Sequence, residues 1–190
     1  MISIKNLPLN AEPSDPDFKI ENYKKLIHKA LSSYHVADYQ NIPWEQKFIL
    51  WRHDCDYSLN RSLAVASIEA EAGLKSTFFL NPHCEFYNLL EKGQRDLIYE
   101  ILKLGHDIAL HFDAAFYDTE NENDLSSQII IEADILEHFL GVRPTAFSFH
   151  NPKAFHLNCE ADSYGGLINC YSKRFKTEVG YCSDSNGYWR

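Results

Sequence analysis

The chain has 190 residues, 45% of them hydrophobic, which is enough for one domain with a full core. Its 18 Lys and Arg against 27 Asp and Glu give a formal net charge of -9, without the basic excess that a phosphate backbone demands, so no nucleic acid partner is expected. The chain holds no run of about 18 apolar residues, so a membrane span is not expected either.

Residues 1–17, rich in Pro, Asn and Asp, read as an irregular N-terminal arm. Ile20, Tyr23, Leu26, Ile27 and Leu31 then recur at helical spacing and predict a first helix. Residues 47–53 read as a buried strand. Ser58 or Asn60 can cap a helix that runs to Glu71 and stops before Gly73. A strand over 76–81, a helix over 95–104 stopped by Gly105, and a strand over 107–112 follow. Asp124 is the predicted cap of a helix over 125–140, in which Leu125, Ile129, Ala133, Leu136 and Leu140 share one face before Gly141. Residues 145–150 give another strand, and shorter apolar runs at 167–171 and 179–183 predict two more, joined by a connection too short for a full helix. This alternation points to an α/β fold with right-handed crossovers and a parallel sheet, a partial or closed barrel, as a single domain over residues 1–190.

Four polar clusters fall where predicted strands run out: Arg52-His53-Asp54-Cys55-Asp56, Asn81-Pro82-His83, His111-Phe112-Asp113 and Ser148-Phe149-His150-Asn151-Pro152. Loops leaving the C-terminal ends of parallel strands converge on one rim, so these residues can meet. Strand parity sorts them. Arg52 and Asp54 share a face, as do His111 with Asp113 and Ser148 with His150, and Asp56 lies just beyond its strand. His53 and His106 point the other way, toward packing and structural hydrogen bonds. The five cysteines form no CxxC pair and an odd set, against a disulfide framework or a cysteine zinc site. With no export signal visible at the N-terminus, a reducing cytoplasm fits best.

Arg52-His53-Asp54-Cys55-Asp56, the Lys75-Ser76-Thr77-Phe78-Phe79 strand, Gly105-His106-Asp107-Ile108-Ala109-Leu110-His111 and Ser183-Asp184-Ser185-Asn186-Gly187 resemble NodB-type polysaccharide deacetylases, carbohydrate esterase family 4. The resemblance runs from about Lys47 to the C-terminus and looks closest to a divergent branch with an HDxD first motif, associated with bacterial surface-polysaccharide biosynthesis. It implies an irregular (β/α) barrel, here incomplete at its C-terminal end, that binds one divalent metal, with Zn the first candidate, through an Asp and two His. The implied activity is removal of acetyl groups from N-acetylated sugars. The family's paired aspartates are separated here by Cys55; the base role is carried to Asp54 and the ligand role to Asp56, with the swap left open. Ala115 stands where the family has a second His after His111. The third ligand is then His150, with Asp113 in reserve. Arg52 takes the place of an Arg that steadies the base. Asp113, Asn81, His83, Ser148, Asn151 and Asp184 are the candidate substrate contacts, and Tyr57, Phe86, Tyr87 and Trp189 could stack on sugar faces. The chain ends before the strand on which the family carries the His that protonates the leaving amine, and a homo-oligomer could cover the edge that this leaves.

Each assignment has a plainer counterpart. Two aspartates at i, i+2 after a strand are commonly turn or cap residues. His111 with Asp113 could be a satisfied polar pair, and His-Asn-Pro at 150–152 could only shape a loop. Cys55 lies between anions that raise a thiol pKa, so a thiol mechanism is not expected. A barrel that binds sugar or a partner without turnover is the alternative function. A phosphoesterase is disfavoured because the mouth offers few cations beyond Arg52.

Overall fold

The computed structural model describes residues 19–183. Helix α1 (Ile20–Leu31) leads into two short strands, β1 (His35–Val36) and β2 (Phe48–Ile49), which pair in parallel. Only Leu50 and Trp51 separate β2 from β3 (Arg52–Cys55). The chain continues through α2 (Leu59–Glu71), β4 (Thr77–Leu80), α3 (Lys92–Lys103), β5 (Asp107–Asp113), α4 (Glu122–Leu140) and β6 (Ala146–His150). A short helix α5 (Ala154–Leu157), a hairpin of β7 (Ser163–Tyr164) and β8 (Leu167–Asn169), and α6 (Lys173–Glu178) complete it. The central sheet has the order β3-β4-β5-β6-β8-β7, parallel except between β7 and β8.

Some boundaries move for identifiable reasons. Asn121, not Asp124, caps α4 by accepting the Asp124 N–H, and Glu91 caps α3 by accepting the Gln94 N–H. Both first turns are polar and carry no apolar periodicity, so the sequence pattern starts late. Ser58 caps α2, accepting from Arg61. The run at 179–183 is not a strand: Val179 ends α6 and Tyr181 is 75% exposed.

Strand alternation divides the sheet into two faces. Phe78, Leu80, Ile108, Leu110, Phe112, Phe147 and Phe149 pack on Leu59, Ala66, Ile98, Ile101, Leu125, Ile129, Ala133 and Leu136 of the helices, forming the main core. Each of the Leu, Ile and Phe side chains stabilises by about 1.5–3 kcal/mol through burial. The other face holds a smaller cluster, in which Tyr39 covers Phe79, Ala109 and Ala146, with Leu50, Ile168, Cys170 and Phe175 packed around it. Among the described residues strand pairing does not close the sheet into the predicted barrel. Instead, the segment joining β1 to β2 meets α6: Tyr39 and Trp44 lie 6.0 and 5.9 Å from the Phe175 ring, and the Arg174 guanidinium sits 3.6 Å over Trp44.

Two buried acids are built into the helical side. Glu69 is fully buried and accepts from Ser76 Oγ at 2.6 Å, meets His53 Nε2 at 2.6 Å, and takes the Tyr23 hydroxyl. His106 Nε2 lies 2.9 Å from the Ala66 carbonyl and so carries the proton; Nδ1 accepts the Ser76 backbone N–H at 3.1 Å. Glu132, also fully buried, pairs with His83. The β7–β8 hairpin turns through Gly165 and Gly166 at φ 57° and 80°. A Cβ on Gly165 would stand 2.9 Å from the Ser126 carbonyl oxygen, so glycine is what lets this turn dock on α4.

Candidate metal centre

The site forms at the C-terminal ends of β3, β5 and β6, on the face opposite the helices. Asp54, Phe79 and Ala109 occupy one row of the sheet. Two residues further along β5, His111 stands opposite Ser148, with Asp113 opposite His150, while Asp56 and Asn81 directly follow the ends of β3 and β4. After β3 the backbone folds back, with the Asp56 N–H donating to the Asp54 carbonyl at 3.0 Å, which turns the Asp56 carboxylate toward the imidazoles.

Three atoms then converge. Asp56 Oδ1 lies 3.2 Å from His111 Nε2 and 3.4 Å from His150 Nδ1, and the two imidazole nitrogens are 3.2 Å apart. Donors held 2.0–2.2 Å from a tetrahedral ion are separated by about 3.3–3.6 Å, so this triangle has the dimensions of a coordination shell. Asp56 Oδ1 is buried, yet no hydrogen bond of acceptable geometry reaches it. A cation at the centre of the triangle is the partner that such an oxygen lacks. The His111 imidazole holds the Asp56 carboxyl below the usual carboxylate range, against the effect of burial, with His150 and Arg52 adding to it. Among the described residues this is the single cluster of three or more acid, imidazole or thiol groups with such spacing.

Neighbouring residues position the three. His111 is buried, and its Nδ1 lies 2.8 Å from Ser148 Oγ. With Ser148 accepting from Nδ1, Nε2 presents its lone pair to the triangle. Arg52 donates from Nη2 to both oxygens of Asp54, at 2.7 Å to Oδ2, while its guanidinium lies 4.4 Å from the Phe79 ring centroid. Burial works against the charged guanidinium, but Asp54, with Tyr39 and Cys170 beside it, outweighs that effect, so Arg52 stays a cation. Asp54 Oδ2 in turn lies 4.0 Å from His111 Nε2, at the edge of the cluster.

The remaining sequence candidates are engaged elsewhere. Asp113 Oδ1 accepts the Ala115 N–H at 2.9 Å and shapes the turn after β5. Asn81 Oδ1 accepts the His83 N–H at 2.8 Å, an Asx turn that spends its carbonyl on the loop. His83 stacks on Phe116 at 3.6 Å and reaches Glu132 at 2.9 Å, which ties it to α4 rather than to the triangle. Asn151 adopts a left-handed backbone, φ 49°, and serves the turn after β6. Ser148 is fully buried against His111, a position suited to holding the ring. Asp184 and Trp189 lie outside the described residues. Cys55 is buried, and burial first, then Asp54 and Asp56, push its thiol up to about 12, with Ser62 opposing. It packs and does not ionise.

Sequence reasoning missed Glu132 and Glu69 as the partners that fix His83 and His53. A signal was present: each acid sits on the apolar stripe of its helix, with Leu125, Ile129, Ala133 and Leu136 around Glu132, and Leu59 and Ala66 preceding Glu69. A carboxylate on a core-facing stripe needs a buried partner.

No family model matches the sequence, and no curated protein matches it. Solved structures similar to the chain include a family 4 acetyl xylan esterase from Clostridium thermocellum in complex with a cobalt ion, with TM-score 0.43 and 15% identity, over 63% of this chain and 55% of that one. Another is IcaB from Ammonifex degensii, with TM-score 0.43 and 14% identity, over 66% of this chain and 65% of that one. The chain thus spans less than two thirds of the length of either structure.

Proposed function

We propose that the chain is a metal-dependent hydrolase that removes an N-acetyl group from a sugar, a divergent NodB-type polysaccharide deacetylase. The observation that carries this reading is the triangle of Asp56 Oδ1, His111 Nε2 and His150 Nδ1, with sides of 3.2 to 3.4 Å, beside the Arg52–Asp54 pair. In this reading Asp56, His111 and His150 hold one divalent ion, with zinc the first candidate for two imidazoles and a carboxylate. When bound, the ion supplies Lewis acidity, polarising a carbonyl oxygen and acidifying a water molecule.

The chain's own residues do the rest. Asp54 accepts the proton from the attacking water, its carboxylate fixed by Arg52 so that one oxygen borders the reacting centre. Hydrolysis adds water across the amide: the C–N bond breaks, acetate leaves, and the sugar keeps a free amine that takes up a proton. Ser148 keeps the His111 ring from rotating and so keeps the donor set intact. Cys55, buried and protonated, takes no part.

The finer expectations belong to the same reading: one domain of the irregular-barrel deacetylase kind across residues 1–190, and a cytoplasmic role in bacterial surface-polysaccharide biosynthesis. Among the described residues no helix is long and apolar enough to cross a membrane.

Protein purified without chelator should carry about one divalent ion per chain, and Asp56→Ala and His111→Ala should each lose both the ion and acetate release. A metal-free wild type whose acetate release resists chelators, or either variant acting at the wild-type rate, would overturn the reading. An ion held without acetate release from any acetylated sugar would point to the binding barrel instead.

A further inference from the structure

The Arg52–Asp54 pair lies where strand pairing gives out. β3 is an end strand of the central sheet, and β2, separated from it by Leu50 and Trp51, pairs with β1 in a separate sheet, so one side of Arg52 has no neighbouring strand. An arginine at such an edge swings to solvent unless something else encloses it, since holding so long a side chain in one rotamer costs entropy. Yet Arg52 is directed onto Asp54 with both carboxylate oxygens engaged, its guanidinium 4.4 Å from the centre of the Phe79 ring.

The enclosure comes from Tyr39, in the irregular segment between β1 and β2. Tyr39 is 6% exposed and meets the same Phe79 ring edge-on, with centroids 5.6 Å apart and planes at 80°. Asp38 Oδ1 accepts the N–H groups of Gln40 and Asn41 at 2.9 and 2.8 Å, a turn that fixes the backbone on either side of Tyr39. Phe175 of α6 stands behind the ring at 6.0 Å. The Tyr39 hydroxyl bonds to the thiol of Cys170, which directly follows β8 and whose N–H donates to the Phe147 carbonyl at 3.1 Å. Two segments far apart in sequence thus meet over Arg52.

The hydroxyl and the thiol beside the guanidinium are both neutral. Burial first, then Cys170, hold the Tyr39 hydroxyl above the ordinary phenol range, with Arg52 opposing. Burial pushes the Cys170 thiol up to about 11, with Arg52 and Tyr39 opposing. Neither competes with Asp54 as an anion, so a wall of uncharged groups leaves the charge-assisted pairing with the carboxylate as the favoured orientation of Arg52.

Resting on the deacetylase reading for the role of Asp54, we propose that Tyr39 is a positioning residue for the reaction. Its ring closes the open side of β3 over Arg52, which keeps the guanidinium on Asp54 and the Asp54 carboxylate 4.0 Å from His111 Nε2, at the border of the triangle. Tyr39 acts through Arg52, so its loss should slow the reaction and leave metal and substrate binding alone.

The test has two arms, both on the full chain loaded with zinc. In the first, acetate release from a fully N-acetylated glucosamine tetramer is followed. Tyr39→Leu should lower kcat about tenfold, with KM and zinc affinity within about twofold of the wild type, the signature of a displaced reacting group. Tyr39→Phe, which keeps the ring, should hold kcat to within about threefold. Adding Tyr39→Leu to Arg52→Ala should cost no more than about twofold beyond Arg52→Ala alone, because both residues act through one carboxylate. In the second arm, exchange of the Arg52 Nε–H with water is measured by NMR, the signal being assigned by its absence from Arg52→Lys. Tyr39→Leu should speed this exchange at least about tenfold, and Tyr39→Phe should not. Should Tyr39→Leu fail to fold, Phe175→Leu, which withdraws the support behind the ring, is measured in its place, with a loss of at least about threefold in kcat and a matching rise in exchange expected. Unchanged kcat or unchanged exchange, or losses that multiply with those of Arg52→Ala, overturn the proposal and leave the deacetylase reading standing. A wild type that releases no acetate removes that reading, and the exchange arm alone then decides whether Tyr39 holds Arg52.

Discussion

Ser148 is a hydroxyl sealed from solvent, 2.8 Å from His111 Nδ1. Removing it leaves the His111 ring free to rotate or change tautomer. Ser148→Ala should weaken divalent-ion affinity about 10–100-fold in competition with a chelator, and Ser148→Thr, which keeps the oxygen, should stay near the wild type. Equal affinities for the three proteins would assign the serine to packing alone. Parity made this row legible in advance: with side chains alternating along β3, β5 and β6, Asp54, His111, Ser148 and His150 had to share a face. Asp56 was harder to place because it lies beyond its strand, and its direction depends on the turn that follows Asp54. The roles of His83 and Asn81 were not legible for the same reason, since parity lapses in loops, and Asp113, though on β5, is taken by the turn that follows it.

At the scale of elements, the helices act through buried acids and close approaches. Burial, the largest single influence on Glu69, raises its carboxyl pKa, but His53, Ser76 and Tyr23 together outweigh it and the net shift is downward. The stability that Glu69 contributes is therefore present above the unfolded value of about 4.3 and is lost as pH falls through its lower folded value. His156 behaves differently. It is buried in α5, its Nδ1 accepts the Lys153 N–H at 3.2 Å, and burial, then Lys153, lowers its pKa. Its contribution is full above the unfolded value of about 6.5 and declines as pH falls below that. Melting temperature should thus fall in two stages on acidification. His156→Gln should flatten the first stage and leave the second; an unchanged profile between about pH 7 and about pH 5 would refute the assignment. Gly165→Ala should cost about 1–3 kcal/mol in denaturant unfolding, combining a disfavoured positive φ with a clash on the Ser126 carbonyl. The hydrophobic periodicity of α4 was plain in sequence; the hairpin docking on it was not, because strands of two and three residues carry no period.

For the molecule as a whole, alternating strands and helices gave the parallel sheet, the helical layer and the rim on which polar groups gather. The contact between the β1–β2 segment and α6 was beyond that pattern. It depends on Tyr39, Trp44, Arg174 and Phe175, residues from an irregular segment and a six-residue helix, brought together by packing rather than by any periodic signal.

The three donors of the triangle belong to three separate stretches of chain, two of them across the breadth of β4 from each other. An ion that joined them would act as a cross-link present only in the native state, so its affinity would add to stability by mass action, about 2.7 kcal/mol at a hundredfold excess over its dissociation constant. A titration of zinc, cobalt, manganese and magnesium in a melting assay should therefore rank the metals by the rise in midpoint, without any substrate being known, and Asp56→Ala should abolish the rise for every one of them.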